Sequence, residues 1–182
     1  MRPRQKLWLF SALLYAVFFA WYTDFGGPLK PAEIDEFLEK MDARAGGAPE
    51  MRAKIERFMR EDTGRQFLMV NIMEYNDNPP NVEGAQPGED AQQLMARYMA
   101  YMLPQLLRRA CHPTVMGTAV SESVDIVGID NAEVWEQGAM MRYRSRRALM
   151  EIVANPNQGD SHKFKMAALE KTIAFPIEPQ LY

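Results

Sequence analysis

The chain has 182 residues, enough for one domain of ordinary size plus an appendage, and 47% hydrophobic with 25% charged residues excludes an intrinsically disordered chain. Its formal charge of −3 is unevenly spread: Arg2, Arg4 and Lys6 lead the chain, and the remainder carries 21 − 3 = 18 basic against 24 acidic residues, or −6. That balance repels a phosphate backbone and excludes nucleic acid as a partner, while the single Cys111 excludes an internal disulfide or a cysteine-based zinc site and reads as a buried, inert thiol.

Residues 7–22, LWLFSALLYAVFFAWY, hold no charge, proline or glycine. As a helix they span about 24 Å, and about 28 Å if the helix runs on to Phe25, near the hydrocarbon thickness of a bilayer. A cleaved signal peptide needs small residues after the apolar run, and bulky Trp21, Tyr22 and Phe25 stand there instead. Trp8 at one end and Trp21 with Tyr22 at the other match interfacial aromatic belts, so the expectation is a single-pass anchor contacting the bilayer through residues 7–25. The flanking basic residues place the N-terminus in the cytoplasm and the domain on the extracytoplasmic side. Three segments follow: an anchor over 1–27, a helical hairpin spacer over 28–64 and a folded domain over 65–182.

Gly26-Gly27-Pro28 predicts a flexible exit from the anchor. Pro31, followed by Glu33, Asp35 and Glu36, opens a helix with Ile34, Phe37, Leu38 and Met41 at helical spacing; Gly46-Gly47 break it, and a second helix carries Met51, Ile55, Phe58 and Met59 on one face. Phe67–Tyr75 predicts a central strand, and the Pro- and Gly-rich stretch 76–90 a loop. Asp90 with Gln93 forms a capping box for a helix to about Ala110, with Leu94, Tyr98, Met102 and Leu106 on one stripe and Met95, Met99, Leu103 and Leu107 on the next; Pro104 kinks it or sits where its missing hydrogen bond is tolerated. Strands are expected at Val115–Val127 and Glu133–Tyr143 around a turn at Gly128–Asn131. A helix opens at Ser145, is interrupted at Asn155-Pro156 and is followed by another at His162–Lys171, and Thr172–Ile177 is a last strand. The order β-α-β-β-α-β predicts an α+β fold of ferredoxin-like type, with helices on one face of a four-stranded antiparallel sheet. The other face is then apolar and uncovered, and pairing with a second copy into a homodimer is the default solution.

Three stretches carry a resemblance: Pro104-Gln-Leu-Leu, the segment from Glu133-Val-Trp through Arg142-Tyr-Arg-Ser-Arg, and Ala167-Ala-Leu-Glu. Over about residues 65–178 the chain resembles the dimeric α+β-barrel superfamily, in a domain-of-unknown-function branch akin to antibiotic-biosynthesis monooxygenases. The resemblance implies the fold and a dimer, and it leaves the activity open because that superfamily hosts unrelated functions. In its haem-degrading relatives a helix histidine binds iron, an asparagine sits on the first strand and a tryptophan lies about three turns before the histidine. Asn71 and His162 occupy comparable places, but the residue ten before His162 is Ile152, so no cofactor is expected, haem being the one the relatives raise.

The candidate catalytic residues are Asn71, Tyr98 and His162; the candidate ligand-binding residues add Trp135 and Arg142. Asn71 shares a strand face with Phe67, Met69 and Met73, and its amide there must bond a ligand or a neighbour. His162 reads as a helix-start or surface histidine, or as a proton exchanger; Tyr98 as core packing, or as a hydroxyl aimed into a cleft. Trp135 is a pocket wall or a packing contact. Arg142, Arg144 and Arg146 alternate, either as a row that binds an anion or as a solvated edge. His112, just before Pro113, reads as a turn residue. No histidine, cysteine or acid pattern names a metal. Two readings result: a membrane-anchored dimerising module for a small apolar molecule or a partner, and, as the alternative, a cofactor-poor or haem-dependent monooxygenase-like enzyme.

Overall fold

The computed structural model describes residues 2–43, 49–155 and 158–180; the Gly46-Gly47 and Pro156 breaks lie outside the described residues. The elements run α1 (Pro3–Tyr22), α2 (Pro31–Asp42), α3 (Pro49–Arg60), β1 (Phe67–Tyr75), α4 (Ala91–Arg108), β2 (His112–Thr118), β3 (Gln137–Tyr143), α5 (Arg146–Val153), α6 (Gln158–Ala168) and β4 (Leu169–Ile177). Local chemistry sets several of these boundaries. Asp90 Oδ1 accepts from the Gln93 amide at 2.8 Å while Gln93 Oε1 accepts from the Asp90 amide at 2.8 Å, and Ser145 Oγ accepts from the Ala148 amide at 3.1 Å. α4 runs through Pro104 and ends in a Schellman turn, with Cys111 N–H on the Leu106 carbonyl, Ala110 N–H on that of Leu107, and Ala110 at φ 53 where glycine is usual.

The strands pair antiparallel in the order β2-β3-β1-β4, which is the ferredoxin-like arrangement. Pro113 and Pro176 fall on the two edge strands, where a missing N–H leaves no ladder bond unmade. Phe67 and Met73 of β1 are buried against the helices, and register puts Met141 and Ala139 of β3 on that side with them. Phe67 stacks on Tyr143 at 5.1 Å between ring centroids and meets Phe58 edge-on at 5.4 Å, at the centre of a core shared with Met102, Leu106, Cys111 and Ile152. Cys111 is fully buried, and burial raises its thiol above the ordinary range.

β2 and β3 are shorter than the composition predicted. Beyond Thr118 and before Gln137 the regular ladder gives way to scattered backbone bonds, Ala119 N–H to the Glu136 carbonyl and Ser123 N–H to that of Glu133, and Val120, Val124 and Val127 are exposed despite their strand propensity.

The hairpin also departs from expectation. α2 and α3 are docked on the domain: Ile34, Phe37, Leu38 and Met59 share a core with Met150 and Ala154 at α5, while Met51 is exposed. The glycine exit from α1 is pinned. Arg147 donates to Glu33 at 2.9 Å, to Asp24 at 3.4 Å and to the Gly27 carbonyl, and the Leu29 amide donates to the buried Asp62 carboxylate at 2.9 Å.

α1 has no buried residue. It stops at Tyr22 because Thr23 is extended, so the expected continuation to Phe25 adds no helical length, and no helix among the described residues is long and apolar enough to cross a membrane.

Candidate functional site

The face of the sheet away from the helices carries Leu68, Val70 and Ile72 from β1, which pair with Ile177, Phe175 and Ile173 of β4 and with Arg142, Met140 and Gly138 of β3. Phe175, Val115 and Ile173 there are exposed. A hollow of about 470 Å³ is cut into this surface, its walls formed by Val70, Ile72, Val115, Met140 and Trp135. Its floor is a cross-strand pair of glycines, Gly117 opposite Gly138, and a Cβ built on either would meet nothing within 4 Å. Two missing side chains on an otherwise β-branched and aliphatic surface make the concavity. Neither glycine was singled out from the sequence; the signal available was glycine inside a strand.

Trp135 lines the hollow, but from the segment before β3 rather than from the strand itself, and the Lys171 ammonium stands 4.9 Å from its ring centroid. Trp135 also lines a smaller hollow of about 370 Å³ together with Thr118–Glu122. Asn71 lies mid-strand, paired with Ala139 and Ala174, and its amide donates to the Met69 carbonyl of its own strand at 3.1 Å.

Tyr98 and His162 are brought together on the helix layer, ring centroids 6.4 Å apart and edge-to-face. His162 as a residue is exposed, yet its ring packs on Tyr98; burial first and the Lys165 charge second hold its imidazole below the ordinary histidine range. The Lys165 ammonium, itself lowered by burial, lies 5.8 Å from the Tyr98 ring. A neutral imidazole beside a phenol can accept and return a proton. Replacing Lys165 by Gln is expected to raise the His162 pKa toward its ordinary value. NMR titration of the ring protons checks this, and an unchanged or lower value would refute the role of the lysine charge.

Arg142 is not part of an anion-binding row. It is buried, and donates from Nε to Gln66 Oε1 at 2.8 Å, from Nη1 to the Ala110 carbonyl at 2.7 Å and from Nη2 to the Tyr22 carbonyl at 3.1 Å, with its guanidinium 3.7 Å from the Tyr22 ring centroid. Burial lowers its pKa. Arg144 Nη1 donates to the Trp21 carbonyl at 2.9 Å, and Arg146 bonds the Phe58 carbonyl and Glu178. The alternation seen in sequence therefore fastens the N-terminal segments to the domain. His112, expected in a turn, opens β2 and shares a 2.9 Å hydrogen bond with Tyr22 Oη. Trp135 lines the hollow, whereas Arg142 is not among its walls and its guanidinium is bonded to Gln66, Ala110 and Tyr22.

Ile152, ten residues before His162, is fully buried on α5, whereas His162 sits on α6. No cluster of metal-ligating side chains occurs among the described residues.

No family model matches the chain, and no curated protein matches it in sequence. Solved structures match its fold. RPA0582, a protein of unknown function from Rhodopseudomonas palustris, is 19% identical over 75% of this chain and 97% of its own, with a TM-score of 0.58. Its methylated form gives 17% identity, 76% and 96% coverage, and a TM-score of 0.60. At such identities the likeness is one of fold: the chain is an α+β protein with a four-stranded antiparallel sheet of ferredoxin-like order, similar in architecture to RPA0582.

Proposed function

We propose that this chain is a membrane-anchored module that pairs with a second copy through its open sheet face and holds a small apolar molecule in the Gly117–Gly138 hollow. The observation that carries the reading is the uncovered apolar face itself, centred on Val70, Ile72, Phe175 and Ile173. A face of this kind in water costs free energy in proportion to its apolar area, about 25 cal/mol per Å², which a second identical face removes. The hollow then becomes an enclosed space at the interface, apolar and lined by one large aromatic.

α1 supplies the anchor in this reading. Its uncharged run of about 24 Å is shorter than the roughly 30 Å hydrocarbon core, a mismatch that bilayer thinning accommodates at modest cost. Arg2, Arg4 and Lys6 stay with the cytoplasmic headgroups, and the domain lies on the other side.

In detergent solution the full chain is expected to be a dimer by light scattering, and Phe175→Arg is expected to convert it to a monomer with an unchanged circular dichroism spectrum. A monomeric wild type, or a Phe175→Arg protein that still dimerises equally, would sink the pairing. Gly138→Val is expected to leave the monomer fold intact, since a Cβ there meets nothing within 4 Å. It is expected to abolish the fluorescence gain of N-phenyl-naphthylamine on mixing with the protein; an undiminished gain would place the probe elsewhere. The Tyr98–His162 pair stands outside this reading and is a contact that favours the enzymatic alternative.

A further inference from the structure

We propose that the lipid surface meets the C-terminal turns of α4 as well as α1, so that the domain is seated on the membrane by one corner of its fold rather than hung from a tether. The inference rests on the anchor reading of α1 and concerns what lies at its membrane exit.

Four ties hold that exit. Trp21 Nε1 donates to the Arg108 carbonyl at 3.2 Å, the last residue of α4. Tyr22 Oη bonds His112 Nε2 at 2.9 Å, the first residue of β2. Arg142 donates to the Tyr22 carbonyl and stacks on its ring, and Arg144 donates to the Trp21 carbonyl. Beyond them, Asp24 and Gly27 are bonded to Arg147. Residues 21–27 therefore have little freedom to act as a hinge, and a group one residue from Arg108 lies within a side chain's length of the point where α1 leaves the bilayer.

The surface at that point has the chemistry of a lipid interface. Leu103 and Leu107, one turn apart near the end of α4, are 37% and 49% exposed, whereas Met95 and Met99 of the same stripe pack on the core. Phe25 is 69% exposed and meets Phe19 of α1 edge-on at 5.7 Å, so its ring continues the apolar surface of α1 past the end of the helix. Trp21, half-exposed with its indole N–H bonded inward, presents an apolar ring and a satisfied polar tip, the arrangement favoured at headgroup depth. Arg108 is exposed beside them, placed to meet headgroup phosphates. A bilayer is the occupant that accounts for α1, Phe25, Leu107 and Arg108 together; a second copy of α1 would cover the helix alone.

The test uses the full chain with Leu107→Cys carrying an environment-sensitive nitrobenzoxadiazole label, the buried Cys111 remaining unlabelled, and vesicles of phosphatidylcholine with phosphatidylglycerol. Label emission is expected to shift to the blue on vesicle binding and to become several-fold less quenched by aqueous iodide. Trp21→Ala/Tyr22→Ala, which removes the side-chain ties from the α1 side and leaves the domain residues intact, is expected to float with vesicles while losing that protection. Flotation of the labelled protein without a shift would overturn the seat and leave the anchor standing. Failure to float at all would remove the anchor reading, and the seat with it. Protection already present without vesicles, together with a higher oligomer, would assign the surface to a second copy and overturn the lipid proposal.

Discussion

Phe67→Ala is expected to lower the stability of the fold by about 3–5 kcal/mol, or roughly 10 °C in melting temperature for a chain of this size. Phe67 is 1% exposed and stands where the two halves of the core meet: its ring stacks on Tyr143 of β3 at 5.1 Å and receives Phe58 of α3 at 5.4 Å. Removing the ring opens a cavity that neither neighbour can fill without leaving its strand or helix. Tyr143 is almost wholly buried, and burial drives its phenol far above the ordinary range. Thermal unfolding followed by circular dichroism measures the effect. A loss below about 1 kcal/mol would mean that the aromatic stack is not the centre of the core.

Gly64→Ala should be the most damaging of the glycine substitutions. Gly64 has φ 72, which alone costs an L residue about 1–2 kcal/mol. A Cβ there would also stand 2.7 Å from both the Gly27 carbonyl carbon and the Pro28 nitrogen, which are backbone atoms and cannot rotate away. The contact exists because the turn before β1 and the exit from α1 share Asp62: its buried carboxylate accepts from the Leu29 amide at 2.9 Å and from the Gly64 amide at 3.0 Å, with Arg146 at 3.6 Å. Gly88→Ala is the control, since Gly88 has φ 80 with open space around it. Gly64→Ala is expected to cost more than Gly88→Ala and to expose residues 23–30 to limited proteolysis. Equal costs, with no new cleavage, would mean that this close approach does not fasten the N-terminal segment.

Much of the local structure was written into neighbouring residues. The Asp90–Gln93 box and the Ser145 cap each join groups three residues apart, and both form. β1 was legible end to end, and the alternation that sends Phe67 and Met73 inward and Val70 and Ile72 outward is a property of any strand. From those elements in order came the ferredoxin-like sheet and the open apolar face.

Other features depended on pairs too distant in sequence for any local pattern to carry. The three arginines at alternate positions looked alike, but Arg142 reaches Tyr22 across 120 residues and Arg144 reaches Trp21 across 123. Only the fold brings those carbonyls within hydrogen-bond range. The glycine exit from α1 had the composition of a hinge, and Arg147 and Asp62 hold it still. Strand-forming residues around Val120 and Val124 stay exposed, with scattered backbone bonds to the facing segment in place of a regular ladder, so propensity alone did not extend the strands. The hollow arises because two glycines from different strands fall opposite each other, a matter of register. The sequence by itself determined the elements, their order and which face of the sheet is apolar, since these follow from helix and strand periodicity. Tertiary structure decided which residues the arginines hold, where the hollow lies and how the N-terminal helix is fastened, since each joins groups whose proximity only the folded chain creates.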